Sequence, residues 1–147
     1  MILSDGINYD NWANKLILSQ LSSLNLPSAD LLLSHIINAQ LIWLSRILPH
    51  LNLKVDFQKV WKLDEILNIL EENTALFNTI ITSESLERNV LYSNSKGEEF
   101  STKLEHLVFH VIIHGQHHRA QIAKIIRDSG GIPLPTDYIF YIREFKK

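Results

Sequence analysis

Seven histidines occur among 147 residues, and four of them, His110, His114, His117 and His118, crowd into one short stretch. Neutral imidazole is a common ligand for zinc and for other divalent transition metals. On a helix, residues four apart lie on one face about 6 Å apart along the axis, close enough to share an ion. His110 and His118 are about 12 Å apart and cannot share one easily. The candidate pairs are therefore 110/114 and 114/118, with 114/117 a third option. A helical wheel separates them. With His114 at zero, Leu107, Val111, Leu104, Ile122, Val108 and Ile126 define an apolar sector centred near ~75°. His118 falls inside it, His114 at its edge, and His110 and His117 on the rim. The inward pair is His114 and His118, although Ile113 falls outside the apolar sector.

Two imidazoles make half a site. Of the remaining histidines, His35 lies within a strongly apolar helix, sharing its face with Ala39 and Ile42. Burying an imidazole costs desolvation energy unless a partner satisfies it. One ion held by His35, His114 and His118 would satisfy all three. A lone histidine in an apolar helix is more often a hydrogen-bonded core residue, so spacing alone leaves both readings open.

Composition narrows the chemistry. The chain has no cysteine, which excludes a cysteine nucleophile, a zinc ribbon and an iron–sulfur cluster. It has no His-Glu-x-x-His, so the zincin protease arrangement is absent. Its formal net charge is -2, which gives nucleic acid no electrostatic footing. No window is apolar for long enough to span a membrane, and the opening Met-Ile-Leu-Ser-Asp-Gly lacks the features of a secretory signal. A cytoplasmic location is the expectation.

Helices must position these groups. Apolar spacing predicts a helix over residues 8–24, broken by Asn25-Leu26-Pro27, with Ser28 as the cap of a second helix over 29–48. That second helix is apolar almost all round and is expected to be central. Residues 49–62 read as a connection and 63–82 as a third helix with Asp64 and Glu65 in its first turn. Arg88 to Phe100 combines strand formers with the turn sequence Asn94-Ser95-Lys96-Gly97, which predicts a short hairpin or extended loop. Thr102 and Glu105 have the spacing of a capping box for a fourth helix ending near Ser129, where Gly130-Gly131 stops it. The tail from Pro133 is apolar enough to pack across the helices. The expected fold is a single all-α domain over residues 1–147: a four-helix up-down bundle with a short extended segment before the fourth helix.

Other polar residues carry open readings. Asn38 and Gln40 either orient ligands beside His35 or are ordinary helix residues. Arg119 and Gln121 read as ties between helices. Asp137 and Tyr138 either close a pocket or start the terminal turn. Trp12 and Trp43 read as core or interface, with pocket lining as the lesser reading.

Five segments, in order, give the sequence a likeness. Tyr9-Asp10-Asn11-Trp12-Ala13-Asn14, Leu33-Ser34-His35 through Ala39 with Ile42-Trp43-Leu44-Ser45-Arg46, Tyr92 through Gly97, His110 through Gln121, and Pro133 through Tyr138 together resemble the DinB family of the DinB/YfiT-like superfamily. Ala120 stands where that family usually has glycine. The resemblance implies three metal ligands at His35, His114 and His118; the wheel independently favours the last two. It implies a divalent ion (zinc, nickel or manganese) and, for some members, an external low-molecular-weight thiol as cosubstrate. The function it implies is a metal-dependent thiol S-transferase or hydrolase acting on a small molecule, with a non-catalytic, stress-associated metal-binding protein as the alternative. It also implies a homodimer, in keeping with the abundance of apolar and aromatic side chains.

Overall fold

The computed structural model describes residues 2–145. Four long helices, α1 (Ile2–Leu21), α2 (Pro27–Ile47), α3 (Leu63–Ser83) and α4 (Leu104–Asp128), are joined by a two-stranded hairpin, β1 (Asn89–Ser93) and β2 (Glu99–Lys103), and followed by a short α5 (Tyr138–Phe145). The fold is mostly helical but not all-α.

The helix ends follow local chemistry. α1 begins earlier than its apolar spacing predicts and stops at Leu21. α2 starts at Pro27, not after Ser28: a proline in the first turn loses no hydrogen bond there, and Leu26 occupies the cap position without a side-chain bond. At α3, the Glu65 carboxylate accepts the Lys62 N–H (3.2 Å), satisfying one free amide. The Thr102–Glu105 capping box does not form. Thr102 lies in β2 opposite Val90, its hydroxyl 3.2 Å from that of Tyr92. The first amides of α4 instead donate to backbone carbonyls just before the hairpin, Leu104 to Arg88 (2.9 Å) and Glu105 to Leu86 (3.0 Å). Backbone replaces the side-chain cap because β2 runs straight into the helix.

The turn between the strands is built by Asn94, whose side-chain oxygen accepts from Lys96 N–H (2.9 Å) and Glu98 N–H (3.0 Å). Gly97 supplies the positive φ of 79° that this turn requires. α4 ends at Asp128, and Gly130 follows its Ser129 cap in the expected left-handed conformation, φ 86°.

Two apolar clusters record the helix directions. One joins Ile7 and Leu107, near the starts of α1 and α4, to Leu44, Phe77 and Ile80, near the ends of α2 and α3. The other joins Ile17 and Ile122, further along α1 and α4, to Leu33, Ile66 and Leu70, nearer the starts of α2 and α3. α1 and α4 therefore run one way and α2 and α3 the other. This differs from strict up-down alternation. Residues 48–62 explain it. They return along α2: Asn38 Nδ2 donates to the Lys59 carbonyl (2.8 Å), Trp61 N–H to Ser34 Oγ (2.9 Å), and Trp61 Nε1 to Asn38 Oδ1 (2.8 Å). A helix of α2's length spans about 31 Å; Pro49–Leu51 form one 3-10 turn, and the other twelve residues of the segment, extended, still reach about 40 Å.

α2 is less central than its composition predicts. Leu33, Ile36, Ile37 and Leu44 are buried, but Leu31 and His35 are exposed. Between the two clusters lies a buried polar layer of Asp10, Asn14, Gln40, Asn73 and Arg119, with residues from all four long helices. The tail is pinned along α1 by Gln20, which donates to the Ile132 carbonyl (2.7 Å) and accepts from Leu134 N–H (3.0 Å). α5 places Tyr138 and Tyr141 against Tyr9, with ring centroids 5.2 and 6.0 Å away.

Candidate metal centre

α2 and α4 run antiparallel, and the seam between them gathers three histidines. His35 comes from the exposed edge of α2. His114 and His118 stand one turn apart on α4 and are half-buried. Each offers a ring nitrogen, and these three atoms lie within 4.8 Å of one another. Ring centroids are 5.0 Å apart for His35–His114 and 4.5 Å for both His35–His118 and His114–His118. Among the described residues this is the cluster of three or more histidine or acidic groups arranged to hold one ion. It sits at the rim, where the wheel places His114, because the α4 face nearest the core is filled by Gly115, Arg119 and the apolar residues around them.

The electrostatics favour neutral imidazoles. Burial pushes His114 down to about 4, helped by the charges of His118, His35 and His110. His35 is also lowered, by desolvation first and by His118 second. Protonating one ring discourages protonation of its neighbours. Metal ligation requires the neutral ring, so His114 is ready near pH 7 without losing a proton. Gln121 adds orientation: its Oε1 lies 2.7 Å from His118 Nδ1. With the amide oxygen accepting, the proton is assigned to Nδ1 and Nε2 keeps a free lone pair.

The neighbouring histidines lie outside the trio. His110 is exposed, its ring 5.7 Å from that of His114 and edge-on to Trp43 at 5.3 Å. Partial desolvation lowers its pKa. His117 is exposed, 5.0 Å from the His118 ring. Trp43 is half-buried beside the site, between His110 and Tyr92, and is not simply core. Asn38 holds the returning connection, and Gln40 donates to Asp10 Oδ2 (2.9 Å), so the described hydrogen bonds tie neither to a histidine. Arg119 does tie helices together, through Asp10 and Asn14 on α1, whereas Gln121 bonds within α4. Asp137 and Tyr138 line a different cavity of about 460 Å³, with Ile2, Tyr9, Phe109 and Ile113, on the α1 side of α4.

Comparison with known proteins follows the same residues. The family model described as the DinB family matches residues 10–145. The chain belongs to the DinB family. It is also similar to Protein DinB of Bacillus subtilis (strain 168), 24% identical over an alignment covering 91% of this chain and 90% of that protein. No solved structure matches. The family match takes in His35, His114 and His118 as well as the polar layer. Sequence reasoning reached the histidines but assigned no role to Asp10, Asn14 or Asn73. The available signal was polar residues at core-facing positions, such as Asp10 and Asn14 between Ile7 and Ile17 on α1.

Proposed function

We propose that this DinB-family protein binds one divalent ion (zinc, nickel or manganese) through His35, His114 and His118 and acts as a metal-dependent thiol S-transferase or hydrolase on a small molecule. The observation that carries the reading is the meeting of three nitrogens within 4.8 Å. A tetrahedral ion with metal–nitrogen bonds near 2.1 Å holds its ligand nitrogens about 3.4 Å apart. The rings need to close by no more than about 1.4 Å, within reach of side-chain torsions. Three neutral nitrogen donors suit zinc and nickel well and tolerate manganese.

Bound there, the ion supplies Lewis acidity that lowers the pKa of a thiol or water. The protein's residues do the rest. His35 faces solvent and leaves the seam open to a substrate. His110, with its lowered pKa and its ring 5.7 Å from His114, is a neutral base beside the site. The chain has no cysteine, so in the transferase reading the sulfur arrives with the cosubstrate. The proposal includes a cytoplasmic setting and a homodimer; among the described residues no helix is long and apolar enough to cross a membrane.

Elemental analysis of the purified protein tests the first step, with about one ion per chain expected. A panel of electrophiles, assayed with and without a low-molecular-weight thiol, tests the second. Turnover lost on chelation and restored by metal supports the enzyme; metal binding with no turnover of any pair favours the non-catalytic alternative.

A further inference from the structure

We infer that Asp10 is a positioning residue for the histidine trio, a buried carboxylate that clamps the two ligand-bearing helices to each other. The inference rests on the metal-binding reading of His35, His114 and His118.

Asp10 sits on α1, is 1% exposed and bonds to both α2 and α4. Its Oδ2 accepts from Gln40 Nε2 on α2 (2.9 Å) and from Asn14 Nδ2 (3.1 Å). Its Oδ1 accepts from Arg119 Nη1 on α4. Gln40 lies five residues after His35, and Arg119 directly follows His118. One carboxylate therefore reaches both helices close to their ligands. Arg119 Nη1 also donates to Asn14 Oδ1 (2.9 Å), and Asn73 Nδ2 on α3 donates to Gln40 Oε1 (3.0 Å), so the clamp is itself held by α1 and α3.

Apolar packing alone tolerates sliding between helices better than a hydrogen-bonded layer does. A buried ion pair is a weak source of stability but can fix register, because every misaligned arrangement strands a charge. Register is what the trio needs. His35 is on one helix and two of its partners are on the other, so an axial slip of one residue, about 1.5 Å, would misplace a ligand by most of a metal–nitrogen bond length.

Gly115 shows how tightly the clamp is fitted. A Cβ there would lie 2.8 Å from Arg119 Nη1 and closer still to Asp10 Oδ1. Glycine weakens a helix interior, yet here the missing methyl is the space the carboxylate occupies. The same residue directly follows His114, so α4 meets the clamp beside both of its ligands.

The test compares wild type with Asp10→Asn, Gly115→Ala and Gln40→Leu in the full chain. Zinc affinity is measured by chelator competition, and coordination by the visible spectrum of the cobalt(II) form, alongside circular dichroism and melting of the apoprotein. We expect folded variants with zinc binding weakened about tenfold or more and an altered cobalt spectrum. A merely structural role lowers the melting temperature and leaves both metal readouts at wild-type values, which overturns the clamp. Gln40→Leu leaves the Asp10–Arg119 pair intact and decides the matter if Asp10→Asn does not fold. A wild type that takes up neither ion overturns the metal-binding reading itself. A wild type that binds, beside folded variants that bind equally well, overturns only the clamp.

Discussion

His118 Nδ1 lies 2.7 Å from Oε1 of Gln121, one turn further along α4. The bond occupies Nδ1 and leaves the Nε2 lone pair free for an ion. A partner on the distal nitrogen fixes the tautomer and ring orientation and raises ligand basicity.

Replacing Gln121 should therefore weaken metal binding without disturbing the fold. The side chain is exposed, so its removal leaves no core cavity. Gln121→Ala is expected to lower zinc affinity by about 10–100-fold, read by chelator competition, with helical circular dichroism unchanged. Wild-type affinity in this variant would show that the bond does not act on the ligand.

Acid should destabilise the apoprotein through His114. Its folded pKa is lowered to about 4, from an ordinary value of 6.5. The unfolded chain therefore binds this proton first as pH falls. The contribution is fully present above pH 6.5 and is lost as pH drops through the folded value near 4. His114→Gln removes the titration. The stability difference between wild type and variant, from urea melts in chelator, should shift against wild type between pH 6.5 and 4. A constant difference across that window would contradict the lowered pKa.

Asn38 makes a contrasting prediction. It holds the Lys59 carbonyl and the Trp61 indole, and so anchors the returning connection beside His35. Asn38→Ala removes both partners at once, which should destabilise the protein by about 1–3 kcal/mol. Zinc affinity should stay near wild type, because no hydrogen bond from Asn38 reaches a ligand ring. A large loss of affinity with stability preserved would instead make it an orienting residue.

These residues also mark where the sequence is legible. α3 and the glycine stop of α4 follow from periodicity and local chemistry, and the hairpin from turn residues and strand formers. The pairing of His114 with His118 is legible because i, i+4 spacing is a property of the helix itself, whereas His35 follows only from its apolar surroundings and the family resemblance. The parallel course of α2 and α3 is not, since residues 48–62 carry no periodic pattern to show that they run back along α2. Nor is the exposure of His35: Leu31 and Ile36 look alike as letters, and only packing against α3 and α4 decides which is covered. The helix start at Leu104 misleads for a related reason. Thr102 has the spacing of a cap, but strand pairing with Val90 claims it, and carbonyls distant in sequence take over.

The ligand assignment itself rests on His118 against His110, both four residues from His114. The structure sets the His118 ring 4.5 Å from that of His35 and leaves His110 beside Trp43, outside the cluster. His35→Ala, His114→Ala and His118→Ala should each abolish stoichiometric zinc, and His110→Ala should keep most of it. The apoproteins should remain folded, because two apolar clusters, and not a metal, join the four helices. Elemental analysis and circular dichroism on the four variants check this directly. If His110→Ala loses the metal while His118→Ala retains it, the pair on α4 is His110 and His114, and the ion sits nearer Trp43 than the ring geometry indicates.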